Sequence, residues 1–364
     1  MKKVRILSID GGGMRGIIPA TVLVYIEDRL KAITKNDNAR IGDYFDLIAG
    51  TSTGGILGCF YLVPNPDTRT GPSSKYSAAQ ALDFYVAKGN NIFNASRHFE
   101  WFGMRQMFSA DKYSPKNIEK IFHDEFGNLK MSELLKPCVV TTFNLEYKKS
   151  FFFSSREKPN KYREFYVRDA LRSTSAAPTY FPPARIKNLK TDRLMTNIDG
   201  GVFANNPTMC AFAEGNNSVF PQVANPNAKE MLILSVGTGG GQFNLPNIAK
   251  TNRWNIIKWA KSIPDIMMNG SLDTVHYQML KLYETLEGSS KHNYLRVDVP
   301  NDANIRNYSS DMADASEDNI SALKIAGNET LRTALEDDDN KLNKFIQMLV
   351  DNAPDAQQTQ AVKE

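Results

Sequence analysis

YFDLIAGTSTGGILGCFYLV (44–63) is the stretch on which the fold turns. An apolar run leads into Thr51, Ser52 and Thr53, set between glycines, and a second apolar run follows. Positions 47–63 hold no charge over 17 residues. A membrane-spanning helix needs roughly 20 apolar residues, and this stretch is shorter and carries four glycines. It reads as a buried strand, a tight turn and a buried helix starting near Ser52. Upstream, VRILSI (4–9) is a second buried strand and DGGGMRG (10–16) a glycine-rich turn. Over 17–33 the apolar residues Ile18, Val22, Tyr25, Ile26, Leu30 and Ile33 recur at three- and four-residue steps, the period of a helix. Two strands joined by a helix predict a right-handed crossover in a mainly parallel sheet.

Further strands are expected at 137–143, 150–154, 194–198 and 231–236, with one near 293–298. Helices are expected at 77–88, 115–125, 254–260, 263–286, 316–335 and 340–351, and loops at 64–77 and 214–228. With no internal repeat and no long linker, the reading is one α/β domain: a mainly parallel central sheet flanked by helices. Residues 1–240 form its core, and 241–364 form a mainly helical C-terminal part packed on the same domain.

Composition narrows the function. Of 364 residues, 41% are hydrophobic and 23% charged, which excludes a disordered chain. A net charge of +4 is too mild to make nucleic acid the main partner. Cys59, Cys138 and Cys210 lie far apart, with no CxxC pair, and read as small buried hydrophobes in a reducing compartment. The opening MKKVRILSID is not a signal peptide, so a soluble, cytoplasmic protein is expected.

Two turns carry the chemistry. Gly50-Thr51-Ser52-Thr53-Gly54 fits G-x-S-x-G between a strand and a helix, the setting of a nucleophilic serine at a strained elbow. Gly50 and Gly54 give the small neighbours that elbow needs, and the helix N-terminus favours a developing anion. The other reading of Ser52 is a plain helix cap. The turn 10–16 admits three readings. Gly11, Gly13 and Gly16 fit G-x-G-x-x-G, although no acidic residue stands at the tip of the second strand. Alternatively Gly11, Gly12 and Gly13 are an oxyanion hole, with Arg15 adding charge or bracing the loop. The third reading is a simple turn.

A serine nucleophile needs a base. His98, His123, His276 and His292 all fall in ordinary helix or loop settings. Asp199, followed by Gly200-Gly201 at the end of a buried strand, is better placed, though an Asx-turn accounts for the same pattern. No His/Asp/Glu cluster has metal-ligand spacing; Asp124, Glu125, Asp311 and Asp314 are only scattered carboxylates. Met267 and Met268, with Trp254 and Trp259, read as core or as an apolar wall for an acyl chain.

Taken together, SIDGGGMRGIIPATVL (8–23), YFDLIAGTSTGGILG (44–58), STSAAPTYFPP (173–183), NIDGGVFANNP (197–207) and LILSVGTG (232–239) resemble the patatin-like lipid acyl hydrolases. The chain has DGG where plant storage patatins have DGA. The resemblance implies a patatin-like, α/β-hydrolase-related three-layer fold and a Ser52/Asp199 dyad that works through an acyl-enzyme. It implies an oxyanion hole at 11–13, no cofactor and no metal. The expected substrate is a phospholipid or other acyl lipid met transiently at a membrane surface. Two variants remain open: an effector phospholipase of anti-phage defence switched on by a cyclic dinucleotide, and a storage or binding protein with little activity.

Overall fold

Alternation within the first strand builds a three-layer arrangement. In the computed structural model, β1 (Val4–Ile9) turns Val4 and Ile6 to one face of a sheet and Leu7 and Ile9 to the other. The strand at Met231–Val236 does the same, with Met231 and Ile233 opposed to Leu232, Leu234 and Val236. Strands apolar on both sides must be covered on both sides. The structure describes residues 2–66, 73–92, 113–155, 162–240, 256–302, 304–336 and 339–353.

Along the sheet, β1 lies between β2 (Leu47–Gly50) and β7 (Met231–Val236). β7 also pairs with β8 (Tyr294–Val297), and β2 with β3 (Cys138–Asn144), all in parallel. β4 (Lys149–Ser154) runs antiparallel along one edge of β3. The opposite edge of β3 is shared. β2 covers Cys138 to Val140, and the antiparallel β6 (Leu194–Asp199) covers Thr142 to Asn144, with β5 (Ala184–Lys187) outside it. The C-terminal ends of β2 and β6 therefore meet head to head across Thr141, which is the feature that positions the site.

One face is covered by α1 (Ile17–Thr34), α2 (Thr53–Phe60), α3 (Ala78–Ile92), α4 (Pro115–Phe126) and α5 (Val167–Thr174). α9 (Glu317–Glu336) and α10 (Lys341–Asp351) complete that layer by packing on α1. After the single turn α6 (Gly201–Ala204), α7 (Thr208–Asn216) and α8 (Ile256–Glu284) cover the other face. The mixed, mostly parallel sheet between helix layers agrees with the sequence reading, and three details differ. The helices expected at 254–260 and 263–286 are one helix, α8, running through Pro264; a lone proline removes one backbone bond, which a helix of 29 residues absorbs. α5 was not expected, although Val167, Ala170, Leu171 and Thr174 have helical spacing and are buried. β5 has only four residues, with Ala184 and Ile186 turned inward, too short a run to stand out. No helix among the described residues is long and apolar enough to cross a membrane.

Candidate active site

Ser52 stands between the end of β2 and the start of α2, with φ 52° and ψ −120°. A residue bearing a Cβ enters that region at a cost of about 1–3 kcal/mol, so its surroundings must hold it there. Its N–H donates to Thr174 Oγ1 at 2.8 Å, and its carbonyl accepts from the Ile56 N–H at 3.1 Å. Thr51 anchors the preceding residue: its hydroxyl donates to the Ala204 carbonyl at 2.6 Å and lies 2.7 Å from Thr141 Oγ1. The Ser52 hydroxyl makes no cap to α2, so the plain-cap reading does not hold. Glycine is obligatory on both sides. A Cβ on Gly50 would run into the backbone of Gly54 and Gly55, and one on Gly54 into the carbonyls of Ile9 and Asp10.

Asp199 ends β6 and is buried. Its Oδ1 accepts the Gly201 N–H at 2.7 Å, so the Asx-turn geometry is present. The same residue also lines a cavity together with Ser52. Burial pushes its carboxyl up to about 7, against the opposing pull of the Gly201 N–H and the Ser52 side chain, both of which favour the ionised form. Gly200 must be small because a Cβ there would strike Thr141, the residue at the junction of β2 and β6.

The glycine loop closes the cavity from the β1 side. Gly12 and Gly13 line it, and Gly13 has φ 58°, where a side chain would also meet the Met312 carbonyl. Gly11 departs from the expectation. Its N–H donates to the Asn205 carbonyl at 3.0 Å, and its own carbonyl accepts Thr238 Oγ1 at 2.7 Å. Its donor is therefore engaged in holding the loop and is not offered to an oxyanion. Arg15 braces the loop, with Nε donating to the Gly12 carbonyl at 3.3 Å. Gly16 serves close packing: a Cβ there would strike the Thr53 hydroxyl. Behind the loop, buried Asp10 forms a two-pronged ion pair with Arg296 of β8, at 3.0 and 2.5 Å, and Arg296 also reaches Asp298 at 2.5 Å. Burial raises the Asp10 carboxyl, while Arg296 pulls it back. Neither Arg296 nor Thr174 was singled out from the sequence, since each belongs to the site only through tertiary packing.

The cavity walls are mainly apolar, including Ile56, Ile92, Ile118, Phe181, Met268 and Met312. Of the methionine pair, Met268 faces the cavity and Met267 is exposed; Trp254 lies outside the described residues. Two polar groups sit among these walls without hydrogen-bond partners, Ser175 Oγ and Asn205 Oδ1. The described residues that line the cavity include no histidine. His276 Nδ1 contacts the Tyr294 hydroxyl at 2.9 Å, His123 is exposed and His292 lines a separate surface cleft. His98 lies outside the described residues. No group of three or more His, Cys, Asp or Glu side chains suited to a metal occurs among the described residues.

Comparison with known proteins places the chain in a family. The profile of the patatin-like phospholipase family matches residues 7–212, which include every residue of the β1, β2 and β6 turns. Patatin-like protein 2 of Arabidopsis thaliana is 32% identical over 90% of this chain and 83% of its own length. Patatin-17 of Solanum cardiophyllum is 30% identical over 96% and 90%. The solved structure of VipD from Legionella pneumophila aligns with 91% of this chain and 66% of its own, at 12% identity and a TM-score of 0.39, a distant likeness that adds nothing to the assignment.

Proposed function

The chain belongs to the patatin-like phospholipase family, and from that premise we propose that it hydrolyses fatty-acyl esters of membrane lipids, with Ser52 as nucleophile and Asp199 as its base. The observation that carries the reading is their juxtaposition. A serine held at φ 52° with its hydroxyl outside the helix cap shares a cavity with a buried carboxyl raised to about 7. An ordinary aspartate, near ~3.9, is a poor base toward an alcohol. A carboxyl poised near neutrality is a much better one, half ionised at pH 7 and largely ionised at pH 8.

In this reading Asp199 takes the hydroxyl proton as Ser52 attacks the ester carbonyl. The developing oxyanion meets the N–H groups of Gly12 and Gly13 and the N-terminal end of α2. Collapse releases the alcohol, to which Asp199 returns the proton, and leaves an acyl-enzyme. Water, deprotonated by the same carboxylate, then releases the fatty acid. The apolar walls suit an acyl chain, and the lipid is taken from a membrane surface. The test is fatty-acid release from phospholipid vesicles by the wild type and by Ser52→Ala at matched concentration. Release by the wild type alone supports the reading; release by both removes Ser52 from the mechanism.

A further inference from the structure

The segment NNP (205–207) follows the Asp199-Gly200-Gly201 turn, and its two asparagines behave differently. The Oδ1 of Asn206 works within the fold, accepting from the Thr208 N–H at 3.0 Å and from the Thr208 hydroxyl at 2.5 Å; its Nδ2 is buried without a partner, but this residue is not part of the cavity lining. Asn205 serves the fold through its backbone. Its carbonyl accepts the Gly11 N–H, and its N–H donates to Ser271 Oγ at 3.3 Å. Its side chain lines the catalytic cavity, 2% exposed as a residue, with Oδ1 bonded to nothing. A buried amide oxygen without a donor is costly, and this orientation leaves the NH2 at the other end of the amide, which makes no hydrogen bond of its own, for an acceptor on a ligand.

Position says which ligand group. The amide lies over the α-carbons of Gly11 and Gly201. A Cβ on Gly11 would run into Asn205 Oδ1 and stand 3.3 Å from Ser52 Cβ; one on Gly201 would stand 3.2 Å from Asn205 Oδ1 and 3.1 Å from Asp199 Oδ1. Asn205 is thus lodged between nucleophile and base. With Oδ1 turned against the two glycines, the planar amide presents its NH2 to the cavity. The glycine loop is also one donor short, because the Gly11 N–H is held by the carbonyl of this same residue.

We propose that Asn205 is a catalytic residue whose side-chain NH2 is a third oxyanion donor, completing the pair supplied by Gly12 and Gly13. The inference rests on the Ser52 acyl-transfer reading. As the Ser52 oxygen bonds to the carbonyl carbon, its proton passes to Asp199 and the carbonyl π pair moves onto the oxygen. That oxygen then accepts from three donors until the alcohol leaves with the proton from Asp199.

Asn205→Ala removes the amide and keeps the backbone bonds, and Asn205→Leu, run alongside, fills the same space without a donor. Both are assayed on a soluble ester and on its thionoester, whose sulfur is a weak acceptor. The expected result is a fall in kcat/KM on the ester of about 100-fold. KM stays near the wild-type value, the loss on the thionoester is several-fold smaller, and the midpoint of the pH profile does not move. Losses under about 3-fold, equal losses on the two substrates, or a shifted pH midpoint, which would make Asn205 a positioning residue for Asp199, each overturn the proposal. An active Ser52→Ala control would instead overturn the acyl-transfer reading, and this inference with it.

Discussion

Ser52 keeps a backbone conformation natural to glycine, and the surrounding contacts show how it is held: Thr174 takes its N–H, and Thr51 is tied to Thr141 and Ala204. Replacement by glycine removes the strain of about 1–3 kcal/mol and adds some unfolded-state entropy, for a net gain of about 1 kcal/mol. Ser52→Gly is therefore expected to be inactive on lipid esters yet to melt slightly above the wild type in calorimetry. A lower melting point would mean that the elbow is not strained. Asp199 supports a second prediction. In the proposed mechanism its ionised form is the base, and burial pushes its carboxyl up to about 7, so kcat/KM on a soluble ester should climb through pH 7, well above the ~4 of an exposed aspartate. The sign for stability is the reverse. The folded protein binds this proton more tightly than the unfolded chain, so the carboxyl makes stability fall as pH rises from about 4 to 7, and that deficit persists above 7. Asp199→Asn should abolish activity and raise Tm more at pH 8 than at pH 4; a gain independent of pH would contradict the raised carboxyl.

At the scale of elements, the site exists because two strands end nose to nose on one edge of β3. Gly54 lets α2 fold back onto the end of β1, where any Cβ meets backbone carbonyls that cannot swing away. Gly54→Ala should cost about 3 kcal/mol or more together with all activity. Gly270, on the exposed side of α8, has nothing within 4 Å of an added Cβ, and Gly270→Ala should gain about 1 kcal/mol. Paired urea melts of the two variants check both signs. The contrast also explains what the sequence discloses. GTSTGG, DGGG and DGG are legible because elbow, loop and turn each demand glycine locally, so Ser52, Asp199 and Gly12–Gly13 stand out from neighbours alone. The antiparallel insertion of β6 beside β2 is not legible, being set by registers between strands some 55 to 90 residues apart in sequence. For the same reason the engagement of the Gly11 N–H by Asn205, which takes one expected donor out of the hole, has no local signature.

On the scale of the whole molecule, the turns that form the proposed site depend on the C-terminal third of the chain. β8 adds a strand beside β7, α9 and α10 pack on α1, and Met312 receives the Met14 N–H at 2.8 Å just beyond the glycine loop. The most demanding link is Arg296. It joins Asp10, where the loop begins, to Asp298, whose Oδ1 accepts the N–H groups of Gly239 and Val299 at 2.8 Å. A single guanidinium thus ties the turns after β1, β7 and β8. Removing it leaves a buried carboxylate without its counter-charge, a change that costs about 3–5 kcal/mol at neutral pH. Arg296→Met should therefore destabilise strongly at pH 8 and less at pH 5.5, where an Asp10 carboxyl freed of its partner takes up a proton. Asp10→Asn added to Arg296→Met should recover part of the loss at pH 8, because the amide removes the unpaired charge. Urea unfolding of the single and double variants at both pH values decides the matter: a loss that is the same at pH 5.5 and 8, or no recovery in the double variant, would show that Arg296 acts by packing and not by charge. Since the loop whose conformation it secures carries the Gly12 and Gly13 donors, ester turnover by the folded single variant should also drop. A fragment ending at residue 240, which lacks β8 and Arg296 altogether, should then fail to form an active enzyme although it contains all of residues 7–212.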